Sequence, residues 1–361
     1  MTIPKTMMCA VLHGVRDLRI EQRPVPEPGP GEVLVAVARV GVCGSDVHYY
    51  TRGRIGDFVV RAPMILGHES AGVVAALGEG VDGLEVGERV TIEPGYTCRR
   101  CHYCKTGRYN LCPEVVFMAT PPVDGAFCEY VAWPADYVYV LPTTMTLDDG
   151  AMMEPLAVGL AAVERGGVVP GAAVAVFGCG PIGLLTLQAA RAAGATTLIA
   201  IDVIDLRLEH ALRLGATHVV DDADGRAVEQ VRAISSALQG FELRYSGVDV
   251  AFETAGSVAT TRNALAAARP GGVAVLVGLP PQPAVELAIV AAASKAIDIR
   301  GLFRYANRYP AGIALTSSGR VDVASLVTHR FPLREAERAL RFADEHKGDS
   351  LKVVVDVGEF D

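Results

Sequence analysis

The pattern of apolar and polar positions divides the chain into two parts. In roughly the first 150 residues, short apolar runs such as residues 32–37 (EVLVAV) and 71–77 (AGVVAAL) stand between Gly- and Pro-rich turns. Apolar runs of this length between turn signals predict the strands of a β-rich domain.

Beyond residue 154, apolar runs alternate with helix-like segments, and strands that alternate with helices predict a parallel sheet covered on both faces. The predicted strands are residues 173–177, 197–202, 217–220, 248–253 and 273–277, and the clearest helices are residues 184–193 and 206–214. The last part of the chain returns to a mixed pattern that ends in the strand-like run 351–357.

Residues 166–190 contain a long uncharged stretch that a hydropathy window would flag as a membrane helix. Pro170, Gly178, Gly180 and Pro181 interrupt this stretch. Such breakers predict a buried strand, a turn and a helix in place of a membrane span.

The length and the net charge of the chain limit the number of domains and the kinds of partner that we expect. A chain of 361 residues is long enough for two domains. Its net charge of −8 argues against a nucleic-acid partner, because phosphate binding needs a concentrated basic surface. The N-terminus lacks a basic start followed by an apolar stretch, so we expect no signal peptide and a cytoplasmic location.

The segment Gly178-Cys179-Gly180-Pro181-Ile182-Gly183 fits the G-x-G-x-x-G pattern between a predicted strand and a predicted helix. This context predicts a dinucleotide site, in which Gly178 makes the tight turn, Gly180 lets the backbone approach the pyrophosphate and Gly183 lets helix and strand pack closely. Asp202 ends the next strand, where its charge favours NAD over NADP. Arg207 leaves NADP as the alternative cofactor, and a turn that merely joins strand to helix is the alternative to a binding site.

Four cysteines lie within a short span, at Cys98, Cys101, Cys104 and Cys112. Four thiolates can close a tetrahedron around zinc and leave no open position for chemistry. We therefore predict a structural zinc, with an iron–sulfur cluster or free thiols as the alternatives.

Cys43 in GVCGSDVHYY and His68 in ILGHES lie outside that cluster. With these segments the chain resembles the zinc-dependent medium-chain dehydrogenases, and within them the sorbitol/xylitol (polyol) dehydrogenase branch. The resemblance also rests on GRIGDFVVRAPMILGHESAG, the four-cysteine segment, MMEPLAVG, GCGPIG and FRYANRYP, which follow one another along nearly the whole chain.

The resemblance implies an α/β protein of two domains. Residues 1–153 and 297–361 are expected to form a GroES-like β-rich catalytic domain with two zinc sites. Residues 154–296 are expected to form a Rossmann NAD-binding domain, with the active site in the cleft. The resemblance also suggests a homotetramer.

The resemblance implies a catalytic zinc held by Cys43, His68 and Glu69. Glu154 then binds the zinc through water or holds the substrate, and the exchange of these two glutamate roles is the alternative. Adjacent side chains on a regular strand point apart, so joint binding by His68 and Glu69 needs a bend, which Gly67 permits.

The activity implied is oxidation of a secondary hydroxyl of a polyol to a ketose, with zinc as Lewis acid and hydride transfer to NAD. Ser45 and His48 match a proton relay, and a route through Glu154 and water competes with it. Residues expected to face the substrate are Tyr50, Glu154, Arg304 and Tyr305. Residues expected to approach the cofactor, besides the glycines and Asp202, are Ile182, Arg207, Val277, Leu279, Phe303 and Arg304.

Two other functions compete with this interpretation. The nearer one is a dehydrogenase of the same architecture that acts on L-threonine or a simple alcohol. The more distant one is a non-catalytic nucleotide-binding protein, such as a lens-crystallin-like relative or a regulator. The joint presence of Cys43, His68, Glu69 and Glu154 argues against the second class.

Overall fold

The computed structural model describes residues 2–239, 242 and 246–360. The chain separates into two compact units. The first unit contains the residues up to Glu154, Tyr309–Ser317 and the residues from Val323 onward, and the second contains Pro155–Arg308 and Ser318–Asp322.

The first unit is rich in strands, as the short apolar runs predict. Its strands are β1 (Thr6–Gly14), β2 (Asp17–Pro24), β3 (Glu32–Gly41), β4 (Arg54–Ile55), β5 (Phe58–Val59), β6 (Met64–Ile65), β7 (Glu69–Leu77), β8 (Arg89–Ile92), β9 (Gly95–Tyr96), β10 (Val116–Phe117), β11 (Tyr130–Pro134), β12 (Val138–Val140), β19 (Val327–Pro332) and β20 (Lys352–Asp356). Its helices are α1 (Gly44–Arg52), α2 (His102–Lys105), α3 (Leu147–Ala151), α10 (Tyr309–Ser317) and α11 (Ala336–Glu345).

The largest sheet of the first unit has the order β12-β8-β7-β3-β20-β19, and β11 also pairs with β3. A smaller sheet has the order β2-β1-β6. Residues of β3 are buried along almost the whole strand, which explains the apolar run from Val33 to Ala38.

The register of the large sheet determines what lies beside the end of β3. Gly41 pairs with Glu69 of β7 on one side and with Val354 of β20 on the other. Strands β7 and β20 therefore flank the same glycine, although they are far apart in the sequence.

The second unit is a doubly wound α/β fold. Its strands are β13 (Ala173–Phe177), β14 (Thr197–Asp202), β15 (His218–Asp221), β16 (Val248–Glu253), β17 (Ala268–Leu276) and β18 (Asp298–Gly301). Its helices are α4 (Met153–Gly166), which begins at the end of the first unit, α5 (Pro181–Ala192), α6 (Asp205–Arg213), α7 (Ala227–Gln239), α8 (Val258–Ala267) and α9 (Ile289–Ser294). The strands form one sheet in the order β15-β14-β13-β16-β17-β18, and every pairing is parallel. The predicted parallel sheet is confirmed.

The uncharged stretch at residues 166–190 contains β13, a glycine turn and most of α5, as the breakers predict. Within the ranges that the structure describes, no helix combines the length and the apolar character needed to cross a bilayer.

Candidate metal centres and cofactor site

The four cysteines of the first unit gather into one cluster. The Sγ atoms of Cys98 and Cys104 are 3.9 Å apart, those of Cys101 and Cys104 are 3.4 Å apart, and those of Cys112 and Cys98 are 3.5 Å apart. A zinc ion with Zn–S bonds of about 2.3 Å separates its four sulfurs by about 3.8 Å. The cluster therefore fits a closed four-thiolate zinc site.

Local structure favours metal binding at two of these thiols, Cys101 and Cys98. The Cys101 sulfur accepts the backbone N–H of Cys104 at 3.4 Å, at the beginning of α2. A hydrogen bond from the backbone of Arg100 lowers the pKa of Cys98 to about 7. Because thiolates are the metal-binding form of cysteine, this pKa favours metal binding near neutral pH.

Replacing Cys101 by serine should mainly reduce stability, because the segment between Cys98 and Cys112 contains little apolar core of its own. We expect the melting temperature to fall by about 10 °C, which corresponds to a loss of several kcal/mol. Calorimetry together with zinc analysis would measure this, and Lys105→Ala, an exposed change in the same helix, is the matched control. Loss of activity without a change in melting temperature would contradict a structural role.

A second cluster brings together Cys43, His68 and Glu69. One potential ligand atom from each residue lies within 4.8 Å of the other two. The bend expected at Gly67 is present, since its φ of 87° is left-handed. A Cβ there would meet the Phe127 ring at 2.7 Å, so glycine is required by space as well as by conformation.

Asp46, which the sequence analysis did not single out, connects the two segments that carry Cys43 and His68. Its carboxylate accepts the backbone N–H of Cys43 at 3.0 Å and that of Gly67 at 2.9 Å. It also lies 3.7 Å from Nδ1 of His68 and is fully buried. The signal in the sequence is an acidic residue on the buried face of α1.

The Glu69 carboxylate has a buried partner that was also missed. Nζ of Lys352, at the start of β20, donates to both Glu69 oxygens at 2.8 and 2.7 Å and to the Val42 carbonyl at 3.2 Å. A Cβ at Gly41 would collide with this carboxylate. The glycine at the end of β3 therefore leaves the space in which Glu69 and Lys352 meet.

Electrostatics around this cluster favour a cation. Burial alone would lower the pKa of His68, but the charges of Cys43 and Asp46 outweigh it and raise the pKa well above the ordinary value. Burial likewise opposes the charge of Lys352, whereas the charge of Glu69 raises its pKa. The thiol, imidazole and carboxylate donors are those of a zinc site with a position left open.

One other predicted residue of the first unit, Glu154, interacts electrostatically with Lys352 beside this cluster. Glu154 is buried at the beginning of α4, and its charge contributes to the raised pKa of Lys352. It is not a member of the three-ligand group found among the described residues. The ring of Phe117, which was not predicted, lies 5.7 Å from the His68 ring and forms an apolar neighbour of the site.

Helix α1 carries the three remaining predicted residues of this region. Ser45 and His48 are three positions apart and so lie on one side of the helix. Burial lowers the pKa of His48, and Arg52 and Lys347 lower it further. The Tyr50 hydroxyl donates to Glu337 of α11 at 3.0 Å, so its role toward substrate stays a prediction.

The second unit contains the glycine turn between β13 and α5. Gly178 has a left-handed φ of 100°, and Gly180 precedes the first turn of α5. A Cβ at Gly183 would collide with the Gly178 carbonyl. Gly178 and Gly183 thus allow a tight turn before the helix N-terminus, the kind of position at which dinucleotide folds bind a pyrophosphate. Ile182 lies in the first turn of the same helix.

Asp202 is held at the end of β14. Its carboxylate accepts the backbone N–H of Cys179 at 2.7 Å and those of Val203 and Ile204 at 2.8 and 3.1 Å. The Arg207 guanidinium lies 3.5 Å from the same carboxylate. This arrangement presents a fixed acid next to the glycine turn, as a ribose-binding residue requires.

The other predicted cofactor residues lie at the ends of β17 and β18. The backbone N–H of Val277 donates to the Glu253 carbonyl at 2.9 Å, which fixes the segment that leads to Leu279. Leu279 is 71% exposed and Phe303 is 47% exposed, which is unusual for large apolar side chains. The Arg304 guanidinium lies 4.9 Å from the centre of the Phe303 ring. Tyr305 follows and is buried.

Two family descriptions and one group of relatives match the sequence of this chain. The family described as alcohol dehydrogenase GroES-like domain matches residues 29–143, and the family described as zinc-binding dehydrogenase matches residues 181–318. Sorbitol dehydrogenase of Bacillus subtilis is 47% identical over 354 residues, which cover 98% of each chain.

Solved structures agree in fold. An Escherichia coli oxidoreductase of unknown specificity has a TM-score of 0.91 and 38% identity, covering 98% of this chain and 100% of that one. A zinc-binding dehydrogenase of Sinorhizobium meliloti bound to NADP has a TM-score of 0.87 and 32% identity, with coverage of 98% and 100%.

Proposed function

Because the chain belongs to the zinc-dependent medium-chain dehydrogenases, in the polyol dehydrogenase branch, we propose that Cys43, His68 and Glu69 hold its catalytic zinc. The enzyme oxidises a polyol to a ketose in a zinc-dependent reaction. The observation that supports this ligand set is the convergence of the three donor atoms within 4.8 Å.

When bound, zinc lowers the pKa of the substrate hydroxyl as a Lewis acid, and NAD accepts the hydride. The residues of the chain prepare this chemistry. Asp46 lies 3.7 Å from Nδ1 of His68, and this contact would orient the ring so that Nε2 is the nitrogen available to a metal. Lys352 holds the Glu69 carboxylate beside Cys43, and its positive charge offsets part of the negative charge of the donors.

Glu154 is proposed to hold a water or a substrate hydroxyl rather than to bind the metal directly. Arg304 and Tyr305 are proposed to hold further substrate hydroxyls, together with Tyr50 if its hydroxyl leaves Glu337. Recognition of a polyol needs several such partners, because an unpaired polar group in the site would weaken binding.

A panel assay tests the substrate class. With zinc-loaded enzyme and NAD, we expect NADH to form with sorbitol and xylitol and much more slowly with L-threonine and simple alcohols. Removal of zinc by a chelator should abolish the reaction, and added zinc should restore it. Preference for L-threonine would replace the polyol by the alternative substrate class.

NAD is proposed as the cofactor, with Gly178, Gly180, Ile182, Gly183, Asp202, Arg207, Val277, Leu279, Phe303 and Arg304 around it. The Asp202 carboxylate would repel a 2′-phosphate, and juxtaposed like charges cost several kcal/mol. We therefore expect kcat/KM to favour NAD over NADP by about 100-fold. Asp202→Ser should reduce that ratio, and an unchanged ratio in this variant would exclude Asp202 as its source.

Ser45 and His48 are proposed as the route by which the hydroxyl proton leaves. Burial lowers the pKa of His48 below its ordinary value, so its imidazole stays neutral into mildly acidic buffer. In the neutral form it is able to accept the hydroxyl proton. His48→Ala should therefore reduce the rate most in mildly acidic buffer, by up to about 100-fold, since hydroxide cannot replace the lost base there. The deficit should shrink as pH rises, and a deficit independent of pH would favour the route through Glu154 and water.

A homotetramer in the cytoplasm is proposed for the whole protein. Strand β18 is an edge of its sheet, and the apolar side chains of Ile299 in this strand and of Val290 in α9 are exposed. Exposed edges with apolar neighbours are typical of association surfaces. The clustered zinc-binding thiols suit a reducing compartment. Light scattering would measure the mass of the assembly.

A further inference from the structure

Two cysteines that belong to neither metal cluster face each other in the first unit. Cys9 of β1 and Cys128, just before β11, form an isolated antiparallel pair. The N–H of Ala10 donates to the Phe127 carbonyl at 2.8 Å, and the N–H of Glu129 donates to the Met8 carbonyl at 3.2 Å. These flanking bonds identify the two cysteines as a non-hydrogen-bonded pair of an antiparallel ladder.

Such a pair has a Cα separation of about 4.5 Å, the closest that an antiparallel ladder offers. A disulfide requires Cα atoms roughly 4.4 to 6.8 Å apart. The register therefore places Cys9 and Cys128 at a spacing within the range that a disulfide spans.

The side chains of the pair interact with each other. A hydrogen bond between the two thiols is the largest influence on the pKa of both, lowering that of Cys9 and raising that of Cys128. Arg23 lowers the pKa of Cys9 further, against the opposing charges of Asp124 and Glu129. Cys9 is thus the better nucleophile of the two, with Cys128 as its immediate neighbour.

We propose that Cys9 and Cys128 are a redox modification site that forms a reversible disulfide when the protein meets a peroxide. The Cys9 thiolate attacks one oxygen of hydrogen peroxide and becomes a sulfenic acid, and the other oxygen leaves as hydroxide, which takes up the proton that the Cys9 thiol released and becomes water. The Cys128 sulfur then displaces the hydroxyl of the sulfenic acid as a second water and forms the S–S bond. The peroxide takes up the two electrons that the thiols lose, and a small thiol can return them.

The disulfide would restrict the motion of the backbone segment that precedes Cys128, which is hydrogen-bonded to the segment that precedes His68. The segment that precedes Cys128 donates three backbone hydrogen bonds to the segment that precedes His68, from Gly125 to Ile65 at 2.8 Å, from Ala126 to Gly67 at 2.7 Å and from Phe127 to Leu66 at 2.9 Å. The bond would also close a loop of about 120 residues, a length at which cross-linking restricts the unfolded chain strongly. We therefore expect oxidation to stabilise the enzyme while its activity is retained.

The experiment compares zinc-loaded enzyme before and after treatment with hydrogen peroxide. Peptide mapping without reductant should find Cys9 and Cys128 in one linked pair, and a thiol reductant should separate them. The melting temperature should rise by roughly 5–10 °C on oxidation, with zinc content and polyol oxidation unchanged. Because both thiols are buried, the reaction is followed over hours.

Two variants test whether the linked peptide and the rise in melting temperature depend on the Cys9–Cys128 pair. Cys128→Ala should lose both the linked peptide and the rise in melting temperature, whereas Cys179→Ala, a change at another buried cysteine, should keep both. The rise is measured within each variant, so any loss of stability from the substitution itself cancels. Persistence of Cys9 and Cys128 as thiols, oxidation of the zinc-binding cysteines before this pair, or a linked form that melts lower would each overturn the proposal.

Discussion

Replacing His68 by alanine should reduce polyol oxidation at least about 1,000-fold, because the Lewis acid of a zinc site supplies several kcal/mol of transition-state stabilisation. The imidazole is one of three donors that meet within 4.8 Å, and it is the one that Asp46 approaches. With only Cys43 and Glu69 left, the site should lose its metal. The structural zinc at the four cysteines should remain, so zinc analysis should find one ion less per chain.

NAD binding should survive the same substitution. The glycine turn and Asp202 belong to the second unit and share no hydrogen bond with His68 among the described contacts. Calorimetric titration with NAD would measure this, and His102→Ala, an exposed histidine near the cysteine cluster, is the matched control. A His68→Ala enzyme that keeps full activity would exclude this zinc site from catalysis.

Replacing Lys352 by methionine should destabilise the enzyme by about 3–5 kcal/mol in its zinc-free form, because it leaves the Glu69 carboxylate buried without its partner. The zinc-loaded form should lose less if Glu69 binds the metal, since the ion then replaces the missing positive charge. Urea unfolding of both forms would measure the two losses. Equal losses with and without zinc would favour Glu154 as the direct ligand.

A double variant tests whether the loss of stability arises from breaking the ion pair between Glu69 and Lys352. Glu69→Gln combined with Lys352→Met removes both charges, so it should recover most of the stability that the single lysine change loses. Lys347→Met is the control, because Lys347 is exposed and its ion pair with Asp344 lies at the surface, where such pairs contribute about 0–1 kcal/mol. If the double variant were no more stable than Lys352→Met, the loss would not arise from an unpaired Glu69.

The sequence predicts the parts of this protein whose determinants are local. The cysteine cluster spans only Cys98 to Cys112, so its spacing alone indicates its geometry. The strands β13 and β14 of the second unit are apolar and buried along almost their whole length, because both faces of a parallel sheet are covered. The bend at Gly67 is likewise predictable, since glycine is the residue that adopts a left-handed φ readily.

Partners that depend on sheet register could not be predicted. Lys352 reaches Glu69 only because β20 and β7 flank the end of β3, and nothing near either residue encodes that arrangement. Asp46 accepts a bond from Gly67, 21 residues along the chain, which requires the folded path between them. Tyr50 illustrates the same limit, because its bond to Glu337 depends on the packing of α1 against α11.

The position of Lys352 in the chain has a consequence for biosynthesis. It is translated 283 residues after Glu69, an interval of roughly 15 to 60 seconds at ordinary ribosome speeds. Throughout that interval β3 lacks its neighbour β20, and Glu69 has no opposite charge. The second unit emerges from the ribosome entirely within the same interval. The proposed zinc site at Cys43, His68 and Glu69 therefore gains its buried positive charge only late in synthesis, when β20 pairs with the end of β3.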